Sequence, residues 1–320
     1  MKKSLLGIIL SLLFLFPFSL HAQEDDFKVE DIPSYFMSGE YYLPLFLAEL
    51  VQYQDPVTQS MLNVYVLLSQ AMLGCRFPDG LIDKTLSEVG QTFGKDHVLY
   101  GLALIPKAVD DEENLDLLVE ASEIIRKAEG ENSWEYAFAL MHCANVTLDV
   151  NKYGTIDKSL GYIAKSLAIL EKDYKDSWLY PVALSNRGYA RLFNDDENFV
   201  DDVVLAFNTM NEKAEVNPLV ALCPLAYTAV FLSAVSTLFK MPDKAIEVAE
   251  PIIPAFQEFE LENTENYLTL CSTLCYAYIL KKDKRTARKY LAMAEKTCTA
   301  VYGPDSPKNR ELDSYRKKLR

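Results

Sequence analysis

The sequence predicts an all-α fold, a solenoid of antiparallel helix pairs, and three observations lead there. A helix-capping phrase recurs seven times at a mean spacing of about 42 residues. Between the phrases, apolar residues return at intervals of three and four, the helical period. No stretch alternates long enough to predict a strand.

The phrases come first because a repeat decides the architecture before any single element does. They read Tyr53-Gln54-Asp55-Pro56, Phe93-Gly94-Lys95-Asp96-His97, Gly130-Glu131-Asn132-Ser133, Tyr174-Lys175-Asp176-Ser177, Val216-Asn217-Pro218, Glu262-Asn263-Thr264 and Tyr302-Gly303-Pro304-Asp305-Ser306-Pro307. Each carries a short polar side chain able to accept from the free N–H groups of a helix start. Three add proline where a first helical residue would stand, and there its missing N–H costs nothing. Taking Asp55, Asp96, Ser133, Ser177, Asn217, Thr264 and Ser306 as markers, the spacings are 41, 37, 44, 40, 47 and 42 residues. Blocks of that size hold two helices each. Residues 133–149 pair with 156–172, 177–193 with 199–213, and 264–281 with 284–301. Pro251 and Pro254 are expected to kink the second helix of the fifth block.

The last block carries packing detail. Cys271, Leu274, Cys275 and Tyr278 fall on one face of its first helix, with Ala287, Leu291 and Ala294 on its second. Small residues at 275, 287 and 294 let two helices approach, and Tyr278 and Leu291 fill the gaps. Leu140 and Ala144 hold the large and small places in the third block, Leu184 and Gly188 in the fourth. This arrangement resembles the tetratricopeptide repeat (TPR) superfamily, and the 42-residue period resembles its kinesin-light-chain type. The resemblance spans about residues 55–307. It implies a right-handed α-α superhelix whose first helices line an inner wall, with a protein or peptide partner held there. The family's groove asparagine falls at His142, Asn186, Pro224 and Thr273 in successive blocks. Only Asn186 keeps the residue type, so Asn186 and His142 are the candidate partner contacts.

The ends have their own signals. Lys2 and Lys3, the apolar run Leu5–Leu20, and Ala22 before Gln23-Glu24-Asp25-Asp26 have the layout of a secretory signal peptide. An uncleaved anchor is the alternative; Pro17 and the short run favour cleavage after Ala22. The expected organisation is a signal peptide at 1–22, an acidic flexible segment at 23–39, about six repeats at 40–304, and a capping helix at 305–320. The expected location is the periplasm or the extracellular space, and no later stretch is long and apolar enough to span a membrane.

Composition narrows the function. The full chain carries a net charge of −14, which argues against nucleic acid as a partner. Residues 281–320 are the exception, with 13 basic and 5 acidic residues. They read as a polar cap, with contact to acidic surfaces as the sharper alternative. Six cysteines occur (75, 143, 223, 271, 275, 298), all inside apolar helical stretches, and are read as buried thiols rather than staples.

No phosphate loop, dinucleotide turn, nucleophile elbow or zinc-protease helix occurs. His97 is read as a junction residue. The acids of Asn194-Asp195-Asp196-Glu197 and Asp201-Asp202 lack the glycine turn and distal glutamate of a calcium loop and are read as a solvated turn. The chain is thus expected to be a non-enzymatic scaffold with no cofactor and no metal. Two alternatives stand beside it: a regulatory array acting on an effector carried by another chain, and a hydrolase with its site inside the superhelix.

Overall fold

A computed structural model of the protein describes residues 29–50, 55–111, 114–148, 156–216, 240–258, 261–304 and 306–320. The expected signal peptide, the Asn217 junction, Cys223 and Pro224 lie outside the described residues. Those described are helical, with no strand among them. In chain order the α-helices are α1 Ile32–Met37, α2 Tyr42–Leu50, α3 Pro56–Leu73, α4 Leu81–Thr92, α5 Val98–Asp110, α6 Leu115–Glu129, α7 Trp134–Val146 and α8 Asp157–Asp173. They continue as α9 Leu179–Phe193, α10 Phe199–Val216, α11 Pro242–Ala249, α12 Ile253–Glu258, α13 Glu265–Leu280, α14 Lys284–Tyr302, α15 Pro307–Glu311 and α16 Asp313–Leu319.

Consecutive helices pack as pairs: α3 with α4, α5 with α6, α7 with α8, α9 with α10, and α13 with α14. The pairs stack in sequence order, since α4 also packs on α5, α6 on α7 and α8 on α9. The first helices meet one another too, α3 on α5, α5 on α7 and α7 on α9. They therefore share one side of the stack.

The junction phrases work locally, as their side chains dictate. Asp55 accepts from the N–H of Thr58, Ser133 from Tyr136, Thr264 from Tyr267 and Ser306 from Lys308. Two markers differ. His97, not Asp96, caps α5, its Nδ1 accepting from Leu99 N–H at 3.2 Å while its ring stacks on Phe93. At the fourth junction Trp178 takes the cap position, and Ser177 makes no cap bond there. Trp178 already has helical dihedrals (φ −71°, ψ −20°), so α9 begins one residue later than the serine predicts.

The pairs approach as their small residues allow. Cys271, Leu274, Cys275, Ala287, Leu291 and Ala294 are all buried between α13 and α14, and Tyr278 is half-buried. In the second pair Gly101 lies so close to α6 that a Cβ would stand 2.7 Å from Cγ1 of Ile125. Each large side chain buried this way contributes roughly 1.5–3 kcal/mol. One hydrophobic core runs from Ile32 to Met210 and a second from Ala249 to Leu319. The two stretches meet where the N–H of Glu265, opening α13, donates to the carbonyl of Gly74, closing α3 (3.2 Å). Cys143, Cys271 and Cys275 are buried free thiols.

The prolines of the fifth block break its second helix as expected. Pro242 opens α11, Pro251 falls in a 3₁₀ turn at Glu250–Ile252, and α12 follows. The carboxylate of Glu250 accepts from the hydroxyls of Tyr290 (2.7 Å) and Tyr278 (3.1 Å), tying this break to the last pair.

Three expectations need correction. Residues 29–39, expected as flexible, form a 3₁₀ turn and α1, with Ile32 and Phe36 wholly buried. Their apolar residues outweigh the acidic composition that suggested a solvated tail. The single capping helix is two short ones, α15 and α16, parted at Leu312; Leu312 and Leu319 are buried, and Arg288 donates to the Leu319 carbonyl at 2.7 Å. Finally, Asp202 of the acidic run is not solvated. It is only 3% exposed and takes hydrogen bonds from Arg187 (2.9 and 2.6 Å) and Arg191 (2.7 Å), which stitch α9 to α10.

Candidate protein-binding site

The two candidate contacts stand on first helices, as the spacing predicts, but differ in access. His142 lies on α7, half-buried, with its ring edge-on to Phe138 at 4.7 Å. Burial lowers its pKa to about 4, so the imidazole is neutral in the fold at neutral pH. Asn186 lies on α9 and has no exposed surface. Residues 179–186 are buried without interruption, because α9 is clasped by helices on several sides. The asparagine is therefore a core side chain and offers no surface to a partner.

A different group of residues converges on the shared side of the first helices. Phe36 of α1 sits in an aromatic seat drawn from separate pairs. Its ring lies 5.8 Å from Tyr65 of α3, edge-on, and 5.9 Å from Trp134 and 5.6 Å from Phe138 of α7, the last also edge-on. Tyr41 closes over it from its own segment at 5.0 Å. Such tilted and edge-to-face contacts add about 0.5–1.5 kcal/mol per pair beyond burial.

The segment reaches a third pair through its backbone. The N–H of Trp178, a donor left free at the start of α9, bonds to the carbonyl of Met37 at 3.0 Å. Gly39 lies directly beneath the Trp178 indole at φ +85°.

Local sequence explains why the segment has this shape. Pro33 favours a helix start within the first turn of α1. At the other end Glu40 N–H bonds to Tyr35 carbonyl and Gly39 N–H to Phe36 carbonyl. This is a Schellman turn, whose left-handed position glycine fills at least cost. The turn swings the chain so that Tyr41 packs back on Phe36.

The seat is apolar at its centre, with carboxyls close by. Glu135 follows Trp134 on α7 and is half-buried; burial raises its pKa to about 7, and the Glu129 charge adds to the rise. Burial also raises Glu40 on the segment itself. Tyr65 is pushed upward too, by burial first and then by the charges of Glu135 and Glu129. The arrangement is suited to gripping an aromatic side chain on a short helix. Among the described residues no cluster of His, Cys, Asp or Glu could hold a metal ion.

Phe36, Gly39, Tyr65, Trp134 and Trp178 are not among the contacts that the sequence predicts. One signal was present. The chain has only two tryptophans, and each directly follows a junction serine, Ser133-Trp134 and Ser177-Trp178, one repeat apart. Compared with known proteins, the chain matches no protein-family model and no curated protein, so its site is read from its own geometry.

Proposed function

We propose that this protein is an exported, non-enzymatic scaffold that holds a protein partner through the first helices of its pairs, in a right-handed TPR-like superhelix. The observation that carries the reading is the aromatic seat itself. Tyr65, Trp134, Phe138 and Trp178 come from three pairs and act together on one short helix, with Phe36 as its anchor. Aromatic anchors in desolvated pockets carry most of the energy in protein recognition, and an apolar helix laid in a groove is a recurrent mode. The buried packing residues of α13 and α14 support the repeat architecture, and the signal-like residues 1–22 support export.

The test is capture of the partner. The full chain is expressed in its native cell, lightly crosslinked in the envelope fraction and purified. A stoichiometric protein partner is expected. Its absence, together with turnover in a broad hydrolase screen, would replace the scaffold with an enzyme.

A further inference from the structure

We propose that residues 29–41 are a displaceable latch, which closes the aromatic seat in the free protein and is exchanged there for a partner's helix of the same chemistry. This rests on the scaffold reading above and adds to it how the site is kept shut and what opens it.

Three observations point this way. First, α1 has six residues and its Asp31 cap makes no side-chain hydrogen bond. Isolated helices shorter than about 12–15 residues are marginal in water, so α1 owes its order to the seat. Second, the grip falls on a handful of residues. The ring of Phe36 meets Tyr65, Trp134 and Phe138, Ile32 and Tyr41 are buried with it, the carbonyl of Met37 meets Trp178 N–H, and Gly39 fits beneath the indole. Third, the helices around the seat also pack on partners other than the segment. Helices α3, α5, α7 and α9 are each packed into their own pairs and against one another. Glu40, on the segment itself, is partly buried in the closed seat, and its desolvation offsets part of the aromatic gain.

The same geometry defines the incoming helix. It needs an aromatic side chain at the place of Phe36. It needs glycine three residues later, because a Cβ on Gly39 would stand 2.3 Å from Cδ1 of Trp178. A second aromatic two residues further, as Tyr41, closes the seat.

The chain supplies its own reporter, since both of its tryptophans line the seat. Hydrogen exchange on the wild-type full chain comes first. Backbone amides at 35–41 are expected to exchange at least tenfold faster than those of α7. Equal protection in the two segments would mean that the segment opens only with the whole fold, and would overturn the latch.

The full-length variant Gly39→Val is then expected to keep its helical circular dichroism while tryptophan emission shifts to the red. A synthetic peptide of residues 29–43 should restore the emission with saturation, at least tenfold more tightly than its Phe36→Ala form. Wild-type protein should take the same peptide at least tenfold more weakly. Collapse of the helical signal in both Gly39→Val and Phe36→Ser, or no peptide binding to a folded variant, counts against the proposal. Failure to capture a partner from the envelope would strike the scaffold reading and leave the peptide result standing. Failure of the peptide would remove the latch and leave the scaffold to another surface.

Discussion

Gly39 and the indole of Trp178 pack so closely that a side chain at 39 would overlap the ring. Gly39 has a φ of +85°, and a Cβ built on it would fall 2.3 Å from Cδ1, 2.6 Å from Cγ and 2.7 Å from Nε1 of the ring. A side chain at 39 is therefore penalised twice, by the left-handed backbone and by the ring. Together these cost about 2–4 kcal/mol. In Gly39→Ala, urea unfolding followed by tryptophan emission should begin at lower denaturant than in wild type. Coincident, unshifted transitions would show that the ring moves aside without cost.

Asp202 makes a second prediction. Its side chain is 5% exposed, and those of Arg187 and Arg191 are 32% and 26% exposed. Removing one member of a fully buried pair costs about 3–5 kcal/mol. Here the arginines remain partly solvated, so Asp202→Ala should cost about 2 kcal/mol, read as a lower urea midpoint. Arg187→Lys should recover only part of the wild-type value relative to Arg187→Ala, because lysine cannot offer the two parallel N–H bonds that Arg187 makes.

Two titrating groups near the seat should oppose each other. Burial raises the folded pKa of Glu135 to about 7 from an ordinary 4.5. A raised carboxyl favours the protonated fold, so its contribution is complete below pH 4.5 and is lost as pH rises through 7. His142 has a folded pKa of about 4 against 6.5. A lowered imidazole favours the neutral fold, so its contribution is present above pH 6.5 and is lost as pH falls through 4. Across pH 4.5–6.5 the two slopes have opposite signs.

Single variants should therefore unmask each slope. Glu135→Gln should gain stability as pH rises from 4 to 6.5, and at pH 8 should exceed wild type by about 2 kcal/mol, allowing for partial solvent screening. His142→Gln should instead lose stability as pH rises from 4.5 to 7. Urea midpoints at pH 4.5, 6.5 and 8 for the three proteins check this. Parallel curves for wild type and both variants would show that neither group is coupled to folding.

A hydroxyl offers the last prediction. Tyr290 is 2% exposed and donates to Glu250 at 2.7 Å. A hydrogen bond to a charged acceptor contributes about 1.5–3 kcal/mol, but Glu250 keeps a second donor in Tyr278. Tyr290→Phe should thus cost about 1 kcal/mol, and the double variant with Tyr278→Phe should cost more than the two singles combined. Additivity in that cycle would mean that the hydroxyls act independently.

Much of the architecture was legible because its causes are local. Asp55, Ser133, Thr264 and Ser306 act on N–H groups two or three residues away. Cys275, Ala287 and Ala294 repeat at helical intervals, and their smallness is visible without a structure. The broken fifth-block helix followed from Pro251, which lacks an N–H. Where local signals compete, the cap shifts by a residue, as when His97 replaces Asp96 at the start of α5.

The candidate site was less legible. The resemblance pointed to the first helices, and the structure keeps His142 and Asn186 there. Yet whether a helical residue faces a neighbour or solvent depends on what packs over it, and Asn186 is fully covered. The acidic composition of residues 29–39 suggests a solvated tail, whereas the apolar Ile32 and Phe36, with Met37 and Gly39 against Trp178, dock the segment.

By itself, then, the sequence determined the paired helices, the caps at Asp55, Ser133, Thr264 and Ser306, and the close-packed last pair, since each depends on residues near one another in the chain. Tertiary structure alone decided that Phe36 meets Trp134, that Met37 meets Trp178, and that Gly74 meets Glu265. These contacts join residues scores to nearly two hundred positions apart, and no periodicity links them. They form only when stacked pairs bring distant side chains to one side, where burying aromatic surface repays the ordering of a short helix.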